Sequence, residues 1–270
     1  MVSDTIKFLP LDKSWYIRLC ILSLQDADDS VIQFLSDKEL CDDLRYTVNA
    51  IKNFSSKIID VGESATLLRF LKFYCWKNGI DKKFVVSPML KERKICNDKD
   101  IVNFPLEKLL KLDYGTSQWV SASILMGNNE DIKTNNEKIL MSKRAVKFWN
   151  DGEKIEIVID KVIEKQAKYF LGYDSTFEYS CAEDYCFSRS FGFLTREEGE
   201  NLWPQLVNHE SNRLNEMEEQ INKTYITSYD HRVIQALSCK AKMDNKTIKV
   251  KNRNHVNKSW PEFWRFYEQS

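Results

Sequence analysis

One local arrangement recurs along this chain and limits what it can fold into. A short β-prone run meets a polar turn that holds Ser or Thr beside a basic residue, and an apolar run at helical spacing follows. Strands are predicted over 5–10, ended by Pro10, and over 57–61, 83–87, 154–162 and 247–250. Helices are predicted over 16–24 with Ser14 near the N-cap, over 42–54 with Leu44, Val48 and Ile51 on one face, and over 67–76 with Ser64 or Thr66 as cap. Further helices are predicted over 119–126, over 197–221 with a break at Pro204, over 229–242 and over 261–267. Strand, turn and helix in alternation make a mixed α/β protein. With 8 Gly and 5 Pro in 270 residues, the elements should be long and the tight turns few.

Charge then narrows the partners. Lys plus Arg is 40 and Asp plus Glu is 40, so no global field draws the chain to nucleic acid or to an anionic membrane. Any anion must be held by a local group of basic side chains. No apolar run approaches the roughly 20 residues of a membrane span, and Met1-Val2-Ser3-Asp4 does not open like a signal peptide. The seven cysteines are scattered and odd in number, as reduced buried thiols of a cytoplasmic protein would be. Cys181 and Cys186 lack a partner pair at zinc spacing.

The basic turns are the chemistry-bearing part. Lys13 and Ser14 open one predicted helix, with Arg18 one turn further along. Thr66 and Arg69 repeat the arrangement three residues apart, and Ser117 with Gln118 makes a third. Backbone N–H groups at a helix start favour an anion, Arg grips carboxylate or phosphate in a fork, and Lys acts as a point charge. Taken singly, each is equally a capped helix with a solvated charge.

In order along the chain, these segments resemble the active-site signatures of the EPSP synthase family. Lys13, Ser14 and Arg18 match its Lys-Ser site with Arg five after the Lys; Gly62-Glu63-Ser64-Ala65-Thr66 with Arg69 matches its Gly-Asn-Ala-Gly-Thr turn. Pro88-Met89-Leu90-Lys91-Glu92-Arg93 looks like Pro-Arg-Met-Lys-Glu-Arg, and Thr116-Ser117-Gln118 like Ser-Ser-Gln. Glu178-Tyr179-Ser180-Cys181-Ala182 is a looser match to Asp-x-Ser-Ala. His209-Glu210-Ser211-Asn212-Arg213-Leu214 looks like Lys-Glu-Ser-Asp-Arg-Leu, Asp230-His231-Arg232 is an intact triplet, and Lys258-Ser259-Trp260-Pro261 resembles Lys-Ser-Tyr-Pro.

The resemblance implies an α/β (α+β) protein of two lobes built from repeated βαβαββ units, trimmed relative to the family. Lobe one would be residues 1–12 with 172–270, and lobe two residues 13–171. It implies a soluble transferase of the shikimate pathway, which serves aromatic amino acid biosynthesis, with no metal or organic cofactor. Shikimate 3-phosphate and phosphoenolpyruvate (PEP) would bind in the cleft between lobes. Lys13, Ser14, Arg18, Arg69, Arg93, Thr116, Ser117, Gln118, Arg213, Arg232 and Lys258 are the implied substrate-binding residues; Glu210, His231 and Lys13 are the implied catalytic ones.

Several positions depart from the family. Met89 stands in place of an Arg for PEP, His209 in place of a Lys, Ala65 in place of a glycine and Glu63 in place of Asn. The chain is short after Arg93, where a helix and hairpin should stand, and again between Phe193 and His209, where the family's aspartate base has no counterpart; Glu197 and Glu198 lie in no motif. The sister family that acts on a nucleotide sugar fits less well, since Cys96 stands in no supporting motif. Three readings follow: a compact enolpyruvyl transferase, a homologue that binds an anion in the interlobe cleft without turnover, or a transferase with another anionic acceptor.

Overall fold

The computed structural model describes residues 7–112, 117–208 and 212–270. By its internal contacts the chain divides into two compact units, one of Asp12–Val158 and one of the residues up to Leu11 with Ile159–Ser270.

The Asp12–Val158 unit runs α1 (Lys13–Gln25), α2 (Ser30–Leu35), α3 (Asp42–Lys52), β1 (Ile58–Asp60), α4 (Ala65–Lys77), β2 (Lys83–Val85) and α5 (Pro88–Lys91). A 3-10 turn (Lys99–Asn103), α6 (Leu106–Leu112), α7 (Gln118–Leu125) and α8 (Glu137–Asn150) complete it. α1 is buried on every position from Tyr16 to Ser23, so it is a central helix rather than an amphipathic surface one. It packs against α3 and α8, while α4 and α8 pack on α7. Tyr16, Leu19, Ile21, Leu44, Phe70, Phe73 and Trp119 are fully buried; each Leu- or Phe-sized side chain contributes roughly 1.5–3 kcal/mol by leaving water. β1 and β2 pair in parallel, Ile59 opposite Phe84, so β1-α4-β2 is a βαβ unit. Gly62 turns the chain between β1 and α4 at φ +54°, and a Cβ there would run into the Tyr46 ring.

The second unit runs α9 (Lys161–Phe170), a 3-10 turn (Ala182–Asp184), α10 (Tyr185–Ser190), α11 (Arg196–Leu202), α12 (Gln205–Asn208) and α13 (Arg213–Gln220). Then come β3 (Tyr225–Ile226), α14 (His231–Met243), β4 (Lys249–Val250), a 3-10 turn (Arg253–Lys258) and α15 (Phe263–Gln269). β3 pairs with β4 in parallel, so β3-α14-β4 is a second βαβ unit, one in each half. The core joins Phe8, Phe170, Phe177, Tyr185, Leu214, Val233, Trp260, Phe263 and Phe266. The indole of Trp260 donates to the Phe8 carbonyl at 2.6 Å, which ties the N-terminal segment to this unit.

The class is α+β, but strands are few. Among the described residues four strands form, of two or three residues each. The alternating 154–162 run makes no strand; one bridge joins Leu11 and Ile159. Tyr16 explains the loss. Its hydroxyl accepts from the Val158 N–H at 2.9 Å and donates to the Glu156 carbonyl at 2.7 Å, taking both groups a ladder would use. Residues 7–10 form a turn where the sequence suggested the end of a strand. α1 begins one residue before Ser14 and is capped by Asp12, which accepts from the Trp15 N–H at 3.1 Å. A carboxylate is a stronger cap than the hydroxyl expected there. Between Arg93 and Leu112 stand the 3-10 turn Lys99–Asn103 and α6, where the sequence suggested a missing helix.

Candidate functional site

In the Asp12–Val158 unit, side-chain contacts bring the first turns of α1, α3, α7 and α8 and the second turn of α4 to one place. Lys13 pairs with Asp43 at 2.6 Å, both mostly buried. Ser14 sits next in α1, and its hydroxyl accepts from Lys138 Nζ at 3.2 Å. Arg18 is buried, and its fork is spent on protein: Nε on Ser142 Oγ (2.7 Å), Nη1 on the Ser14 carbonyl (2.7 Å), Nη2 on Ser121 Oγ (3.2 Å) and the Lys138 carbonyl (3.0 Å). It also lies 5.5 Å from the Phe70 ring centre. Buried Arg69 donates to Gln118 Oε1 and lies 5.9 Å from the Trp119 ring.

So Lys13, Ser14 and Arg18 share one set of contacts and Arg69 with Gln118 another, and both sets reach α7, through Ser121 and Gln118. Ser117 precedes them, buried and at φ +61°. A non-glycine residue held there costs roughly 1–2 kcal/mol, the kind of strain that gathers at ligand sites. Helix N-termini carry partial positive charge, and Lys13, Arg18, Arg69 and Lys138 stand near these helix starts together with Asp12 and Asp43. Arg93 is half-buried just past α5, Met89 is exposed within α5, and Ala65 is buried at the first position of α4.

The other unit gathers the C-terminal motifs. Arg213, first in α13, meets Asp230 at 2.9 Å, and the two side chains are 13% and 11% exposed. Asp230 also caps α14: its other oxygen accepts from the N–H groups of Arg232 (2.8 Å) and Val233 (3.4 Å). Burial works against ionised Asp230, but Arg213, His231 and the capping N–H groups outweigh it and hold the carboxyl far below its ordinary range. Burial likewise opposes the Arg213 charge and loses to Asp230, so Arg213 is held protonated more firmly than usual. His231 is buried at the first position of α14, and Arg232 Nη1 reaches the Glu183 carbonyl at 3.5 Å. Lys258 ends the last 3-10 turn; the next residue, Ser259, accepts from Gln235 of α14 at 3.2 Å. Asn252 donates to the carbonyls of Thr227 and Ser228, which fixes the approach to Asp230. The Arg213, Asp230-His231-Arg232 and Lys258 motifs are therefore held by one set of contacts. Thr116, His209 and Glu210 lie outside the described residues.

Sequence reasoning missed four polar residues here. Lys138 and Asp43 touch Ser14 and Lys13, and neither stands in a motif. Glu216 accepts from the Ser228 hydroxyl and from the Asp230 N–H at 3.3 Å. Asp184 is fully buried and accepts from Lys165 (2.6 Å), Gln166 (3.2 Å) and the Ser180 N–H (2.9 Å), fixing the segment beside Glu183. Only the position of Asp184 just past the Ser180-Cys181-Ala182 match was a signal. Burial pushes the thiols of Cys20 and Cys41 up to about 12, so they are not nucleophiles at neutral pH. No described helix is long and apolar enough to cross a membrane.

Against known families, residues 201–266 match the family model of EPSP synthase (3-phosphoshikimate 1-carboxyvinyltransferase). The match takes in Arg213, the Asp230-His231-Arg232 triplet and Lys258. Among curated proteins and among solved structures, nothing matches the chain.

Proposed function

We propose, from that C-terminal segment of the EPSP synthase family, that the chain is a shortened carboxyvinyltransferase. It moves the enolpyruvyl group of PEP to shikimate 3-phosphate or a similar anionic acceptor. One observation carries the reading: the family match spans the three C-terminal motifs that α13, α14 and the last 3-10 turn hold together. The two compact units are read as trimmed lobes of repeated βαβαββ units, each keeping one βαβ.

The acceptor falls to Lys13, Ser14, Arg18, Arg69, Thr116, Ser117 and Gln118, and PEP to Arg93, Arg213, Arg232 and Lys258. The acceptor hydroxyl oxygen bonds to the substituted enol carbon, its proton leaves to a base, and the methylene carbon takes a proton to become methyl. Loss of a methyl proton and departure of phosphate then restore the double bond. Cationic side chains offset the phosphate and carboxylate charges throughout. Glu210 is assigned the proton transfer at carbon, with Lys13 and His231 beside the reacting groups.

A second reading, acceptor binding without turnover, is favoured by how the cations are engaged. Arg18 is spent inside the protein, Lys13 is tied to Asp43, and Met89 stands exposed where the family places an Arg. Calorimetry with shikimate 3-phosphate, with and without PEP, separates the two. Binding of both ligands with formation of the enolpyruvyl product is expected; acceptor binding with no product establishes the second reading. In a turning-over protein, Glu210→Gln should abolish product while leaving acceptor affinity within about twofold, because the carboxylate acts on the reacting carbon rather than on the acceptor. Full activity in that variant removes Glu210 from the chemistry.

A further inference from the structure

The basic residues of this chain are not spread evenly. From Lys240 to Lys258 stand seven Lys or Arg and one acid, Asp244, so a chain with no net charge carries a concentrated positive segment. The β3-α14-β4 unit decides where those charges point. β3 and β4 pair with Tyr225 opposite Lys249 and Ile226 opposite Val250. Side chains alternate across a sheet and Ile226 goes into the core, so Tyr225, Lys249 and Lys251 share the outer face. Tyr225 is 49% exposed, and both lysines are exposed. Beside them a surface groove of about 430 Å³ runs along β3, lined by Asn222, Lys223, Thr224, Tyr225 and Thr227.

The charges here divide into two groups. Lys240 and Lys246 face Asp244 at 2.6 and 3.3 Å, Lys242 bonds the Tyr267 carbonyl, and Arg253 faces Glu268 at 3.5 Å. Lys223, Lys249 and Lys251 make no ion pair and no side-chain hydrogen bond among the described residues. Like charges on one sheet face repel, and an anionic partner relieves that repulsion. We propose that the outer face of β3 and β4, with its groove, binds single-stranded nucleic acid: Lys223, Lys249 and Lys251 meet phosphates, and a base stacks on Tyr225. An acidic peptide would use the lysines and leave the ring bare, and a flat bilayer surface would not enter the groove. A single strand supplies phosphates for the lysines and a base for the ring. None of the residues assigned to the acceptor, to PEP or to proton transfer takes part, so this surface stands whichever reading of the reaction holds.

The test is fluorescence anisotropy on the full chain with a labelled oligo(dT) of about 20 nucleotides, long enough for one site of this kind. Native protein should bind with a Kd on the order of 1–100 μM at physiological salt, and log affinity should fall against log salt with a slope of about −2 for three phosphates. Lys249→Met and Lys251→Met should each flatten that slope by about 0.7. Lys154→Met, which removes an exposed charge in the other unit, should leave it unchanged. Tyr225→Ala should weaken binding about 5–100-fold at an unchanged slope, and Tyr225→Phe should restore it, since stacking uses the ring and not the hydroxyl. These side chains are exposed, so the variants are read on a folded protein. No binding by the native protein at low salt overturns the proposal. So does an equal loss in Lys154→Met, or a Tyr225→Phe no better than Tyr225→Ala. A duplex of the same length bound as tightly overturns the single-strand assignment, and binding of phosphatidylserine vesicles without binding of the oligomer overturns it in favour of a membrane surface.

Discussion

Asp230 serves two partners with one carboxylate, balancing the buried Arg213 charge and capping α14. Replacing it by Ala leaves the guanidinium uncompensated and the first turn of α14 without its acceptor, which should cost about 3–5 kcal/mol. Asn keeps the cap but not the charge, so Asp230→Asn should cost about 1–3 kcal/mol, readable as a lower urea midpoint. The difference between the two isolates the cap. The pH dependence has a definite sign. The folded carboxyl lies below its unfolded value of about 3.9, so its stabilisation is complete above that pH and is lost as pH falls towards the folded value. Native protein should therefore lose stability below about pH 4 through this group. Asp230→Asn should flatten that part of the profile; an unchanged acid limb would show that the carboxylate is not what the acid titrates.

At the scale of elements, local rules and packing compete, and packing often wins. Gly199 lies inside α11, where Ala is favoured by about 1 kcal/mol. A Cβ there would collide with the ring of Tyr185, which is fully buried and unable to yield. Overpacking costs about 1–3 kcal/mol, so Gly199→Ala should lower the melting temperature despite its better propensity. A rise would mean that the Tyr185 ring gives way. The same competition sets what was legible in the sequence. The helices were legible because apolar spacing survives burial: α4, α7 and α14 lie within two residues of their expected starts. The 154–162 strand was not, because alternation cannot reveal that Tyr16, some 140 residues away, takes the hydrogen bonds of that backbone. The Ser14 cap was misplaced by two residues because Asp12 competes for the same N–H groups. Of the candidate site, Arg69 with Gln118 and Arg213 beside the Asp230 triplet were named in advance because motif residues carry charge and spacing together. Lys138 and Asp43 were not, since a single Lys or Asp on a helix has no pattern until the helices are packed.

For the whole molecule, zero net charge removes the general attraction that a basic protein has for any polyanion, so a response to anions must come from a built cluster. The candidate is the group of basic side chains in the Asp12–Val158 unit near several helix N-termini. A ligand of the native state stabilises it by mass action, about 2.7 kcal/mol at a hundred times its dissociation constant. For a protein of this size that is a rise in melting temperature of roughly 5–10 °C. Shikimate 3-phosphate should give that rise in a saturable way, whereas sodium chloride at the same ionic strength should not, because screening acts on exposed pairs of both signs alike. PEP alone should raise the melting temperature less if the acceptor residues form the stronger of the two anion sites. A thermal shift that tracks ionic strength and not ligand identity would mean that the cations of α1, α4, α7 and α8 are there to hold helices together and not to hold an acceptor.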